Sequence, residues 1–121
     1  MSKYRDLFED IRSKTRSNIL KWQLISKNAY SDIIYNPNLV FRIFETIYSK
    51  DETNFTVLFI EKKYEDPEWE FAYDKYIAEI LFLEEGELVL TLNDDIIDRS
   101  DLIGLVKNIE TRTDKAKKLL G

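Results

Sequence analysis

The chain has 121 residues, 18 of them basic and 23 acidic, for a formal net charge of -5. It contains no cysteine and no histidine, which excludes disulfide scaffolds, thiol nucleophiles, zinc sites of the Cys/His kind and any triad with an imidazole base. Its length and 44% apolar content fit one compact domain, residues 1–121, able to close a core around seven Phe, seven Tyr and two Trp.

The first segment predicts an amphipathic helix over 3–16. Tyr4, Leu7, Phe8, Ile11 and Thr15 fall on one stripe at helical spacing, Arg5, Glu9, Arg12 and Arg16 lie opposite, and Ser2 is placed to cap. After Ser17-Asn18 the period drops to two, and Leu20, Trp22 and Leu24 read as a half-buried strand. A further strand is expected over Tyr30–Tyr35, closed by the turn signal Asn36-Pro37-Asn38. The runs Leu39–Tyr48 and Phe55–Tyr64 alternate with apolar residues on both faces, which predicts central strands covered on each side and joined through Ser49-Lys50-Asp51-Glu52.

Glu65-Asp66-Pro67-Glu68 reads as a loop, and Trp69, Phe71 and Tyr73 then alternate with Glu70, Ala72 and Asp74. Strand character continues over Tyr76–Leu83. Glu84-Glu85-Gly86-Glu87 predicts a hairpin with Gly86 at positive φ, followed by a strand through Leu88, Leu90 and Leu92. Leu102, Val106, Ile109, Thr113, Ala116 and Leu120 return to helical spacing, predicting a helix over 101–119 with Ser100 as cap and lysines in its last turn. The expected fold class is α+β: an antiparallel sheet of about five to seven strands flanked by an N-terminal and a C-terminal helix.

Charge is unevenly spread. Residues 65–101 hold thirteen acids against two cations, while residues 1–30 and 102–121 are net basic. A net acidic chain repels phosphate, so general nucleic-acid binding is not expected. The acidic stretch is expected to gather into one face that steers a basic partner. No apolar run is long enough to span a membrane, and Met1-Ser2-Lys3-Tyr4-Arg5-Asp6 lacks the apolar core of a secretory signal, so the expected location is cytoplasmic.

Little standard chemistry can be written on this sequence. Gly86, Gly104 and Gly121 are too scattered for a phosphate-cradling loop. Asp94, Asp95, Asp98 and Asp101 are oxygen-rich but lack the turn glycine and closing glutamate of a calcium loop, and they read as a loop leading into a helix cap. Asp51, then Glu61 and Lys63, have the spacing of a magnesium-dependent nuclease core, an unfavoured alternative. A second alternative is a small-molecule-sequestering protein with an aromatic pocket at Trp22, Tyr48 and Tyr64, its basic ends (Arg12, Arg16, Lys115, Lys118) meeting in space.

Lys14-Thr15 closing a helix, Ile19-Leu20-Lys21-Trp22 opening a strand, and Asp114 before a final Leu119-Leu120 resemble small bacterial and mobile-element proteins built as helix, β-meander, helix. In size and acidity the chain is similar to immunity and anti-defence proteins, and the resemblance implies function by binding, with no catalytic residue carried over. The expectation is therefore a non-enzymatic acidic protein-binding module that blocks a partner with a basic surface. Glu65, Asp66, Glu68, Trp69, Glu70, Phe71 and Tyr73 are its candidate contact residues, acids to steer and aromatics to anchor. No metal or cofactor is expected, and exposed strand edges allow a homodimer.

Overall fold

The computed structural model describes residues 2–34, 40–65 and 74–121. In chain order the elements are α1 (Lys3–Arg16), β1 (Gln23–Ile25), β2 (Val40–Lys50), β3 (Thr53–Glu65), β4 (Asp74–Glu84), β5 (Glu87–Leu92), α2 (Arg99–Glu110) and α3 (Asp114–Leu120). The strands form one five-stranded antiparallel sheet in sequence order, β1-β2-β3-β4-β5. The architecture is α+β, with one helix before the sheet and two after it.

α1 forms where its stripe places it. The Ser2 hydroxyl accepts from the Arg5 amide at 3.3 Å, and Arg5–Glu9 and Lys14–Asp10 pair one turn apart on the outer side. Its buried side, Phe8, Ile11 and Thr15, faces the sheet. Phe8 and Ile11 join Leu102, Leu105, Val106 and Ile109 of α2 over Phe44, Val57, Phe59, Ile80, Phe82 and Leu92. The two helices are tied at their edges by Asp101, whose carboxylate accepts from Arg5 Nη1 at 2.7 Å and from Arg12 Nη1 at 3.4 Å.

The opposite face of the sheet carries a second cluster. Val40, Ile43, Leu58, Ile60, Leu81 and Leu83 pack with Ile34, and Ile25, Tyr30 and Ile33 lie against them. β3 is therefore covered on both sides, with Val57 through Glu61 all buried, as expected for the central strand.

Four sequence expectations are corrected. Leu20 and Trp22 are buried, but they precede the ladder, and β1 is only three residues long. The reason is the end of α1: the Ile19 and Leu20 amides both bond back to the Lys14 carbonyl, at 2.9 and 3.2 Å, and Asn18 takes φ 60°. The expected strand at Tyr30–Tyr35 is instead a run of turns through Ile34, with Ile33 and Ile34 amides bonded to the Tyr30 carbonyl; Tyr35 lies outside the described residues. Polar Ser26, Asn28, Ser31 and Asp32 favour local bonds there, and Ser26 Oγ accepts from the Asn28 amide at 3.3 Å.

The C-terminal helix is two helices. Thr113 lies on the apolar stripe and is buried, yet its hydroxyl accepts from the Ala116 amide at 3.2 Å and starts α3 afresh. Likewise Asp98, not Ser100, stands at the cap position of α2, with extended backbone and no side-chain capping bond. No helix among the described residues is long and apolar enough to cross a membrane.

Candidate docking surface

Of the contact residues expected from sequence, Glu65 ends β3, and Asp66, Glu68, Trp69, Glu70, Phe71 and Tyr73 lie outside the described residues. β3 has thirteen residues, so its Glu65 end and its Thr53 end are roughly 40 Å apart at about 3.3 Å per residue. Anything at the Thr53 end is a separate surface.

The acids of 65–101 do not form one face among the described residues. Glu84, Glu85 and Glu87 sit around the β4–β5 turn, and Asp94, Asp95 and Asp98 follow the other end of β5. The six-residue strand holds the two groups roughly 20 Å apart. Glu79 pairs with Lys62 at 3.1 Å. Asp101 is neutralised by the basic N-terminal helix, and the hydrogen bond from Arg5 holds its carboxyl below the ordinary range, against a smaller opposing push from desolvation.

What the fold does bring together is a pair of acidic turns. β3 and β4 run antiparallel with Thr56 opposite Leu83, so the β2–β3 turn and the β4–β5 turn emerge level at the same end of the sheet. Asp51 and Glu52 form the first, and Glu84, Glu85 and Glu87 surround the second; all five are exposed. Both turns use left-handed backbone: φ is 51° at Asp51, 66° at Glu52 and 51° at Glu85, with Gly86 at 83°. Paired positive φ values suit the tight hairpin turns that match strand twist, and aspartate tolerates them, but a glutamate held there, Glu52 or Glu85, is strained.

Between these turns runs an apolar row. Ile47 stands opposite Thr56, Thr56 opposite Leu83, and Leu83 opposite Leu88. Cross-strand partners share a face, so the row crosses the sheet from β2 to β5, about 14 Å at the usual strand spacing. Leu83 is buried, while Ile47 is 55% exposed and Leu88 is 48% exposed. The turn segment through Tyr30, Ile33 and Ile34 covers the neighbouring part of this face. On the helix side of the same end, Leu7, Tyr48, Phe55, Phe82, Val89 and Leu90 line a shallow apolar hollow with Lys50 at its rim. The hairpin end thus combines exposed apolar side chains with a rim of five carboxylates. Residue counting could not locate it, because the levelling of the two turns is set by long-range strand register.

The nuclease alternative is not supported by the geometry. Asp51 is at the hairpin tip and Glu61 lies eight residues beyond Thr53 along β3, roughly 26 Å away, too far to share an ion. Glu61 is 2% exposed and both of its oxygens are engaged: Arg42 Nε donates at 2.6 Å and the Tyr76 hydroxyl donates at 2.6 Å. Burial, and then the bond to Glu61, push the Tyr76 phenol above its ordinary range. Lys63 lies over the Phe41 ring at 4.9 Å. Among the described residues, no group of three or more acids is placed to hold a metal ion.

Trp22 and Tyr48 do not share an aromatic pocket: Tyr48 borders the shallow hollows beside Leu7 and Lys50, and Trp22 lines neither of them. Both are core residues, 1% and 2% exposed. Trp22 Nε1 donates to Thr15 Oγ1 at 3.0 Å, and the Tyr48 hydroxyl donates to Asp10. Of the basic ends, Arg12 is engaged by Glu9 and Asp101, and Lys115 shares a hollow with Gln23, Leu24 and Thr113. Comparison with protein-family models, curated proteins and solved structures gives no match.

Proposed function

We propose that this chain is a protein-binding module that acts by docking rather than by catalysis, and that its contact surface is the hairpin end. The observation that carries this reading is the row Ile47–Leu83–Leu88 flanked by Asp51, Glu52, Glu84, Glu85 and Glu87. Exposed branched side chains supply area to bury, and the carboxylates select a partner with a basic surface and speed its approach. Two of those acids, Glu52 and Glu85, occupy strained left-handed backbone, where glycine or asparagine is the stable choice. In its finer form the partner is a toxin or effector whose basic groove the module blocks, as an immunity or anti-defence inhibitor does.

Affinity capture with paired charge reversals tests the reading. Glu87→Lys and Asp32→Lys change net charge equally, one at the hairpin end and one on the turn segment. A bound basic protein that elutes with salt, and is lost with Glu87→Lys but retained with Asp32→Lys, is the expected result. Equal loss with both variants, or retention with both, contradicts it.

A further inference from the structure

We propose that the outer edge of β5 receives the partner as an added strand: an extended segment, apolar at its centre and carrying lysine or arginine at both ends. This rests on the protein-binding reading above and adds the mode of docking and the sequence class of the partner.

β5 is the last strand of the sheet, and among the described residues no strand pairs with its outer side. Alternate residues of such an edge turn their N–H and C=O groups outward, which is the template for strand addition. The other edge, β1, is a poor template. It has three residues, and Gln23 and Leu24 border a hollow shared with Thr113 and Lys115 at the start of α3. On β5, by contrast, Glu87, Leu88 and Val89 are exposed and Leu90 and Thr91 are half-buried. Val89 is the extra residue of a bulge, since Leu88 faces Leu83 while Leu90 faces Phe82, and it stands 54% exposed. The bulge breaks the flatness that lets edges pair indiscriminately and leaves Val89 as an apolar contact.

Charge decides the occupant. Antiparallel pairing of β5 with a second copy, centred between Val89 and Leu90, sets Glu87 against Leu92 and brings the acidic β4–β5 turn of each copy beside the Asp94-Asp95 turn of the other. Like charges brought close repel, so the flanks work against self-association. In the same register, a strand with cations at its two ends meets both acidic turns and replaces these repulsions with attractions. The two acidic groups that fail to make a single face are therefore placed as the two flanks of one edge.

The test uses a synthetic peptide with alternating valine and threonine at its centre and two lysines at each end. Its N-methylated analogue, which lacks alternate backbone donors, and a helix-forming peptide of the same net charge serve as comparisons. Expected are binding of the extended peptide, slowed amide exchange over residues 87–92, and at least a tenfold weaker Kd for the N-methylated analogue. Undiminished binding of the analogue, or tighter binding of the helical peptide, overturns strand addition while leaving the docking reading intact. Self-association that slows exchange at β5 as protein concentration rises overturns the choice of a basic partner strand. Binding of none of the peptides overturns the proposal, and the capture comparison of Glu87→Lys with Asp32→Lys then decides separately whether the broader reading survives.

Discussion

Glu84 and Glu87 stand directly opposite each other across the β4–β5 turn, both exposed, a like-charge pair that sheet energetics disfavour. Replacing one of them with lysine turns repulsion into attraction. Glu87→Lys is expected to raise stability by about 0.5 kcal/mol, about 2 °C in Tm for a domain of this size, while weakening partner binding. Thermal unfolding beside a binding measurement checks the pair of effects. A variant that loses stability and binding together indicates a merely structural role for this turn.

Trp22 and Thr15 join the end of α1 to the chain entering the sheet. Thr15 Oγ1 accepts from the Trp22 indole at 3.0 Å and donates to the Ile11 carbonyl at 2.8 Å, and both residues are buried. Thr15→Val keeps the shape but strands the indole N–H, at an expected cost of about 1–3 kcal/mol. Thr15→Ser keeps the oxygen and is expected to lose less. Urea unfolding of the two variants compares them directly.

These contacts explain which parts of the fold are legible in the residue pattern. α1 is readable because its stripe, its cap and its outer ion pairs are all local. The long strands β2 and β3 are readable because alternating apolar residues run along both faces, although of the two only β3 is covered on both sides at its centre, and Phe41 and Ile47 of β2 stand exposed. Tyr30, Ile33 and Ile34 mislead because apolar side chains can face a sheet from successive turns as well as from a strand. Thr113 misleads because one side chain fills a helical stripe position and also caps a new helix. The acids could be counted from the sequence, but not placed. Whether they gather depends on Thr56 meeting Leu83 and on Arg5 and Arg12 reaching Asp101, all long-range pairings. The aromatic–acidic residues Asp66–Tyr73 lie outside the described residues and have no part in the docking surface proposed.

Half-buried Arg42 pairs with buried Glu61 on the adjacent strand, with the guanidinium also 3.0 Å from Glu110. Arg42→Met leaves the Glu61 carboxylate with its main counter-charge removed, at an expected cost of about 3 kcal/mol or more. The double replacement Arg42→Met with Glu61→Met removes both charges and is expected to recover much of the loss. Denaturant unfolding of the singles and the double measures the coupling, and simple additivity contradicts the account of Glu61 as a paired structural carboxylate.

Asp101 links pH to helix packing. Its folded-state pKa is lowered, chiefly by the Arg5 hydrogen bond, so its contribution is fully present above the unfolded carboxylate value of about 3.9. The contribution is lost as pH falls through the depressed folded value. Asp101→Asn is expected to reduce stability at neutral pH and to flatten the acid limb below about pH 5. A stability–pH curve parallel to that of the parent chain contradicts the linkage.

The central claim is that the hairpin end meets the partner, and position-specific photocrosslinking tests it most directly. A photoreactive residue replaces Leu88 in one form of the chain and exposed Lys107 on α2 in another. The account predicts a discrete covalent adduct with a basic protein from position 88, abolished by Glu87→Lys, and none from position 107. An adduct from position 107 alone, or one from position 88 that persists unchanged with Glu87→Lys, contradicts it.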